Sequence, residues 1–355
     1  MSIGGSHPSA DDQVAFVAKL QRLFSEGDFT ATYKFALLMA LADLAVETGR
    51  DDAGRLRLSI RQIARQFIAL YWRHVGPYSS GRPGSVEGVL VQNLGAQAAV
   101  LTAIAEFRRA SGSNSLSEAG ETPQFERLVS RVAAIASAQP IKYLQNFGGS
   151  IDEFLYQRDG NGFIALQPGI GYCLRRYYPL VQRLCTAGWI DHIKSNQRNH
   201  PMLGERDDLE DFLFSTSRKA LGVIQAGLQK IDGGRCFYCG LVMDQIDVDH
   251  YVPFSLYPRD LAHNFVLAHP RCNRSKSDTL AAKQHLECWL ERLRRQADAI
   301  AEVAYAAGVG DDTGTTLAVA CWAYGNAASS GAHAWQAPRR FEVVDVSYLE
   351  LLASP

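Results

Sequence analysis

Cys236-Phe237-Tyr238-Cys239-Gly240, Ile246-Asp247-Val248-Asp249-His250-Tyr251-Val252-Pro253, His263-Asn264-Phe265-Val266-Leu267 and His269-Pro270-Arg271-Cys272-Asn273-Arg274-Ser275-Lys276 lie in one stretch unlike the rest of the chain. Turn residues, cysteines, histidines and short β-like runs crowd into 233–278. A CxxC is followed 30 residues later by an HxxC. Two knuckle-like pairs of this kind can make one tetrahedral Zn²⁺ site from Cys236, Cys239, His269 and Cys272. Such a staple suits a small module whose own core is too poor to fold alone. The alternative for Cys236 and Cys239 is a free or redox-active thiol pair, but no thioredoxin-like βαβ pattern surrounds them.

A second constellation sits between the two pairs. Val248-Asp249-His250 ends a β-like run, and Pro253 closes it. An Asp beside a His at a strand end offers two functions from one spot. The carboxylate can bind a hard divalent cation, and a neutral imidazole can take a proton from water. Phosphodiester hydrolysis needs both a base and a cation that offsets charge on the transition state and leaving oxygen. Asn273 opens a short helix after the second knuckle, and its amide oxygen is a candidate second ligand for the same cation. A lone Asp-His pair would read as a buried hydrogen-bonded pair; its surroundings reverse that reading here. Arg271, Arg274 and Lys276 stand beside this helix as candidate phosphate contacts, with a solvated charged face as the alternative.

The segment resembles the HNH endonuclease family, which has the ββα-metal fold. The matching pattern is CxxC, then DH with a hydrophobic pair and Pro, then Asn before an apolar strand, then CN..K. It runs from Cys236 to about Trp289 and is also similar to the HNH domain of RNA-guided CRISPR nucleases. The resemblance implies that His250 is the general base and that Asp249 and Asn273 bind a catalytic Mg²⁺, Mn²⁺ or similar ion. It implies that Asn264 is the middle Asn that holds the loop and base in position. It also implies a structural Zn²⁺ on Cys236, Cys239, His269 and Cys272. There are departures. His269 stands where a third cysteine is usual, and Asn273 replaces the family's last His, as in the CRISPR-type domains. Phe254-Ser255-Leu256-Tyr257-Pro258 replaces the usual tight-turn glycines. The implied substrate is DNA, and many HNH domains fused to helical domains belong to restriction or anti-phage systems.

The flanking sequence is helical in pattern. Residues 29–44 are apolar on nearly every side and predict a buried helix. Ser59-Ile60-Arg61-Gln62 reads as a capping box opening another. Further helices are expected over 86–109, 125–138, 172–186, 208–230 and 279–307, and 112–122 reads as a linker. Asp159-Gly160-Asn161, between Glu153-Phe154-Leu155-Tyr156-Gln157 and Gly162-Phe163-Ile164-Ala165-Leu166, signals a hairpin. Phe341-Glu342-Val343-Val344 reads as a short strand. His285 and Cys288 are expected in the core. His263 is expected in a solvated loop, and Arg175, Arg176, Lys194 and Arg198 on a charged surface. The expected fold is mainly α: a large helical domain (1–228), a small zinc-stapled ββα-metal module (229–300) and a tail (301–355) packing back on them.

Composition narrows the function. The chain has 355 residues, 47% of them apolar and 21% charged, so a sizeable core is available and a disordered or rod-like chain is excluded. Lys+Arg number 36 and Asp+Glu 37, a net charge of −1, so nucleic acid must be held by a local patch. Residues 234–295 carry nine basic and seven acidic side chains, a small positive balance for such a substrate. Seven unevenly spaced cysteines do not read as a secreted disulfide framework. With no signal-peptide pattern at the start and no long apolar run, the expected location is cytoplasmic and no membrane is implied. Two rival functions remain: a non-catalytic zinc-bound module that docks nucleic acid or protein, and a nuclease directed at RNA, for example a toxin. A protein partner or an oligomer is left open.

Overall fold

A computed structural model describes residues 7–27, 29–49, 52–81, 84–204 and 208–353. Residues 1–6, which carry most of the signal-peptide reading, lie outside the described residues. The chain divides into two compact units: 1–113 with 119–213, and 114–118 with 214–355. Among the described residues no helix is long and apolar enough to cross a membrane.

The first unit is built on helices α1 (Ala10–Glu26), α2 (Tyr33–Thr48), α3 (Ile60–Tyr71) and α4 (Ala99–Ser111). The chain then runs through α5 (Leu116–Gly120), α6 (Phe125–Ala138), α7 (Pro140–Tyr143), α8 (Ile170–Arg176), α9 (Tyr178–Ser195) and α10 (Leu209–Phe214). As its composition implies, α2 is the central helix, buried without interruption from Tyr33 to Val46. It packs on α3, α8 and α9. The approach of α9 requires Gly188, because a Cβ there would lie 2.5 Å from the Phe35 ring. Buried Asp43 on α2 accepts hydrogen bonds from Tyr178 Oη (2.6 Å) and Gln182 Nε2 (2.8 Å), so its Oδ1 is hydrogen-bonded within the core. Ser59 caps α3 reciprocally with Gln62.

The expected hairpin forms. Strands β1 (Arg57–Ser59), β4 (Tyr156–Arg158) and β5 (Phe163–Leu166) make an antiparallel sheet in the order β1-β5-β4, with Gln157 opposite Ala165. A smaller ladder joins β2 (Asn146–Phe147) to β3 (Ser150–Ile151).

Several expectations need correction. Helix does not run over 86–98, where Gly88, Asn93 and Gly95 favour turns. Side chains there satisfy the backbone instead: Asn199 bridges the N–H and carbonyl of Val91 (2.7 and 3.0 Å), and Gln97 binds Leu90 and Gln92. The expected helix over 208–230 breaks at Ser215-Thr216-Ser217, where the Ser217 hydroxyl accepts from Ala220 N and starts a new helix. Arg175 is not on a charged surface: it is buried and donates to the Ala45 and Val46 carbonyls at the C-terminus of α2. Arg176, Lys194 and Arg198 are exposed.

The second unit contains α11 (Arg218–Asp232), β6 (Asp247–His250), β7 (Phe265–Ala268), α12 (Pro270–Lys276) and α13 (Lys283–Ala307). It continues with α14 (Thr313–Ser330), β8 (His333–Ala337), β9 (Arg340–Val343) and α15 (Val346–Ala353). Arg292 of α13 forms a two-pronged ion pair with Asp232 of α11 (3.0 and 3.0 Å). His263 is buried rather than solvated, with Nε2 at 3.1 Å from both the Ala297 carbonyl and Thr313 Oγ1. His285 is in the core as expected, whereas Cys288 is exposed.

The C-terminal elements are woven into this unit. Tyr251, next to His250, stacks on Trp289 (4.5 Å between ring centres) and meets Tyr324 Oη of α14 at 2.9 Å. Trp335 of β8 exchanges backbone hydrogen bonds with Leu280 and Ala282, and its indole N–H donates to Ser275 Oγ on α12 (3.0 Å). Its ring stacks on His285 and meets Tyr238 edge-on. Trp335→Ala should therefore destabilise the unit by about 3–5 kcal/mol in urea unfolding. Phe341→Ala, at a ring 51% exposed, should cost within about 0.5 kcal/mol. Equal losses would contradict the anchoring role of Trp335.

Candidate active site and Cys/His cluster

Strands β6 and β7 pair antiparallel, with Asp249 opposite Val266 and His250 opposite Phe265. Strand β7 is buried throughout, and Pro270 at the first turn starts α12 directly after it. Strand, strand and helix thus form one compact hairpin-and-helix unit. Asp247 and Asp249 are two apart on β6 and share a face, and both meet α12. Asp247 Oδ2 accepts from Asn273 Nδ2 (3.1 Å), and Asp249 Oδ2 lies 3.1 Å from Lys276 Nζ.

Asp249 is held through one oxygen. Its Oδ2 accepts from Tyr238 Oη (2.5 Å) as well as from Lys276. Burial pushes the Tyr238 hydroxyl well above its ordinary pKa, so the phenol stays protonated and donates. Its other oxygen, Oδ1, makes neither of these contacts, and a carboxylate oxygen of this kind can bind a cation. The Asn273 amide gives its nitrogen to Asp247, and its oxygen, which can only accept, takes no part in that bond. A carboxylate oxygen and an amide oxygen are hard donors that suit Mg²⁺ or Mn²⁺, which keep several waters when held by few protein groups.

Lys276 corrects an expectation. Its side chain is 0% exposed and its amine donates to the His250 carbonyl (2.8 Å), so it does not contact phosphate. Burial lowers its pKa, and Asp249 opposes that shift. Arg271 and Arg274 are exposed, and Arg274 borders the cleft described below.

The His250 ring lies between Phe254 (5.1 Å) and Phe265 (4.7 Å), and its Nε2 is 2.6 Å from Asp260 Oδ1. Asp260 Oδ2 accepts from the Thr216 backbone N–H (3.0 Å). Burial raises the pKa of Asp260, but the hydrogen bonds and charge of His250 and those from Thr216 prevail and leave it below the ordinary carboxylate value. Asn264 holds the intervening loop as expected of the middle Asn. Its amide spans the Val252 N–H (2.7 Å) and carbonyl (2.9 Å).

Asp249, His250, Asn273 and Arg274 line one cleft of about 280 Å³, with Pro253 and Phe254 on its wall. A roomier cleft of about 360 Å³ beside Arg235 and Glu291 is bordered by Asp232 and Arg292, which are already paired with each other. The smaller one is the cleft that gathers Asp249, His250 and Asn273. Asp247 and Asp260 were not singled out from the sequence. Asp247 precedes Asp249 at the two-residue strand spacing, a signal that was available; Asp260 lies in an irregular loop and carried none.

Cys236, Cys239, His269 and Cys272 converge, with their ligand atoms all within 4.8 Å of one another. Zn²⁺ with bonds of about 2.3 Å to sulfur needs sulfur atoms about 3.8 Å apart, so this set fits a tetrahedral ion. His269 Nδ1 faces Cys239 Sγ (3.3 Å) while Nε2 meets the Val242 carbonyl (3.2 Å). A carbonyl partner on the second nitrogen is the usual way to aim a histidine ligand. Burial and the neighbouring Cys236 and Cys239 push the Cys272 thiol up to about 12, a cost that a bound cation removes.

Residues 13–213 match the family model described as a domain of unknown function, DUF8808, over more than half of the chain. The chain belongs to the DUF8808 family. The match ends at Leu213, where the first compact unit of this DUF8808 protein also ends. Residues 236–282 match the HNH endonuclease family model, which covers both strands, α12 and the Cys/His cluster. The DUF8808 protein thus carries an HNH endonuclease domain. No curated protein and no solved structure matches the chain.

Purified protein should contain one Zn²⁺ per chain, and Cys236→Ser should lose it and melt at lower temperature. Structural zinc typically contributes about 10 kcal/mol or more to folding, so the second unit should not fold without it. Metal-free wild type with an unchanged melting curve would remove zinc from the account.

Proposed function

We propose that this protein is a metal-dependent endonuclease that hydrolyses phosphodiester bonds in DNA. The observation that carries the reading is the convergence of Asp249, Asn273 and His250 on one cleft inside an HNH endonuclease domain. Asp249 Oδ1 and Asn273 Oδ1 would hold the divalent ion. Bound there, that ion supplies positive charge to the scissile phosphate and its leaving oxygen. His250 takes the proton of a water as the water oxygen bonds to phosphorus. The P–O3′ bond breaks and the departing 3′-oxygen takes a proton from a solvent water, leaving a 5′-phosphate and a 3′-hydroxyl. Asn264 keeps the loop after His250 closed against Val252, and Lys276 holds Asp249 and the His250 carbonyl on the same frame. Arg271 and Arg274 are the exposed cations of α12 for backbone phosphates. Their small number leaves affinity to other parts of the protein, because phosphate contacts dominate non-specific binding. By family analogy the reading extends to restriction or anti-phage defence, a setting in which many HNH domains fused to helical domains are found.

Supercoiled plasmid incubated with the zinc-loaded protein and Mg²⁺ or Mn²⁺ should be nicked or linearised. His250→Ala should reduce the rate by about 10²–10⁴-fold while keeping its zinc. Absence of cleavage with any divalent ion would contradict the reading. Cleavage of RNA but not of modified or unmodified DNA would replace the substrate.

A further inference from the structure

One ring nitrogen of His250 is already bound to Asp260, a carboxylate whose side chain is 11% exposed. The contact between Nε2 and Asp260 Oδ1 is 2.6 Å, a charge-assisted length. An ionised carboxylate can only accept, so Nε2 must carry the hydrogen. A neutral imidazole has a single N–H, and the lone pair that can accept a proton is then on Nδ1. Asp260 cannot turn away, because its other oxygen is tied to the Thr216 N–H at 3.0 Å. The imidazole cannot rock freely either, because Phe254 and Phe265 pack against it at 5.1 and 4.7 Å. Thr216 lies in the break between α10 and α11, so the break that interrupts the expected helix supplies the backbone donor.

We propose that Asp260 is a positioning residue for the general base, holding His250 in the Nε2–H tautomer with Nδ1 as the proton acceptor and Thr216 fixing the carboxylate. This deepens the nuclease reading and rests on it for the role of the base, while the tautomer itself is a property of the resting protein. Asp260 touches neither substrate nor ion. It acts through the ring, as the carboxylate of a catalytic triad acts through its histidine, where the amide replacement costs about 10⁴-fold through the wrong tautomer.

The test uses the full-length, zinc-loaded chain and two readouts. Ring-¹⁵N histidine NMR, with His250 assigned by its loss in His250→Gln, should show the Nε2–H tautomer in the wild type. In Asp260→Asn that pattern should be lost, with zinc content and melting retained. In single-turnover plasmid cleavage, Asp260→Asn should lower the maximal rate by about 10²–10⁴-fold with little change in the DNA concentration at half-rate. Asp260→Glu should recover part of that rate, and Asp260→Asn should cost nothing further in a His250→Ala background. An Nδ1–H tautomer in the wild type, an unchanged spectrum in Asp260→Asn, or an equal loss in the His250→Ala background would each overturn the proposal. If the tautomer behaves as expected while the wild type cleaves nothing, the positioning contact stands and the nuclease reading fails.

Discussion

A buried ammonium fastens helix α12 to strand β6. Lys276, at the end of α12, reaches the Asp249 carboxylate (3.1 Å) and the His250 carbonyl (2.8 Å) with no exposed surface of its own. Burying an ion pair returns little net stability, because desolvating both charges offsets most of their attraction. What the pair gives is geometry. It places one turn of α12 against β6, so Asn273, three residues earlier, arrives beside Asp247. Asp249 then offers one oxygen to the cleft because Lys276 and Tyr238 occupy the other. Removing one partner would leave an uncompensated buried charge, which costs far more than the intact pair contributes.

The Cys/His cluster and the C-terminal elements compensate for the small size of the hairpin and helix. Tyr238 lies between Cys236 and Cys239, so the knuckle that would grip zinc also aims the phenol that steadies Asp249. Trp335, sixty residues beyond α12, closes the opposite side by bonding Ser275 and covering Tyr238. The tail therefore packs behind Tyr238, the residue that holds Asp249 Oδ2. The DUF8808 unit relies instead on an ordinary apolar core around α2, with Asp43 and Arg175 hydrogen-bonded within it.

Much of this was legible in the sequence, and the limits have physical causes. The convergence of Cys236, Cys239, His269 and Cys272, and of Asp249, His250 and Asn273 on one cleft, was readable because order, spacing and residue type agreed within one short stretch. The hairpin at Asp159-Gly160-Asn161 and the cap at Ser59 were readable because turn and cap chemistry is local. Lys276 and Arg175 were misread as surface cations, because a charged side chain carries no local sign of a distant buried acceptor. His263 failed for the same reason: its partners Ala297 and Thr313 are 34 and 50 residues away. Residues 86–98 have helix-compatible composition, and the side chains of Asn199 and Gln97 override it. Asp260 was invisible because its role exists only once Thr216 and His250 meet across separate loops.

The central claim is that Asp249 and Asn273 share one hard cation beside His250. Anomalous diffraction from crystals of the zinc-loaded protein soaked in Mn²⁺, at wavelengths that separate manganese from zinc, tests it most directly. The account predicts a manganese peak in the cleft with Asp249 Oδ1 and Asn273 Oδ1 as ligands at about 2.0–2.6 Å, and a separate zinc peak among Cys236, Cys239, His269 and Cys272. Manganese found only in the cysteine cluster, or a cleft that stays empty at saturating Mn²⁺, would contradict it.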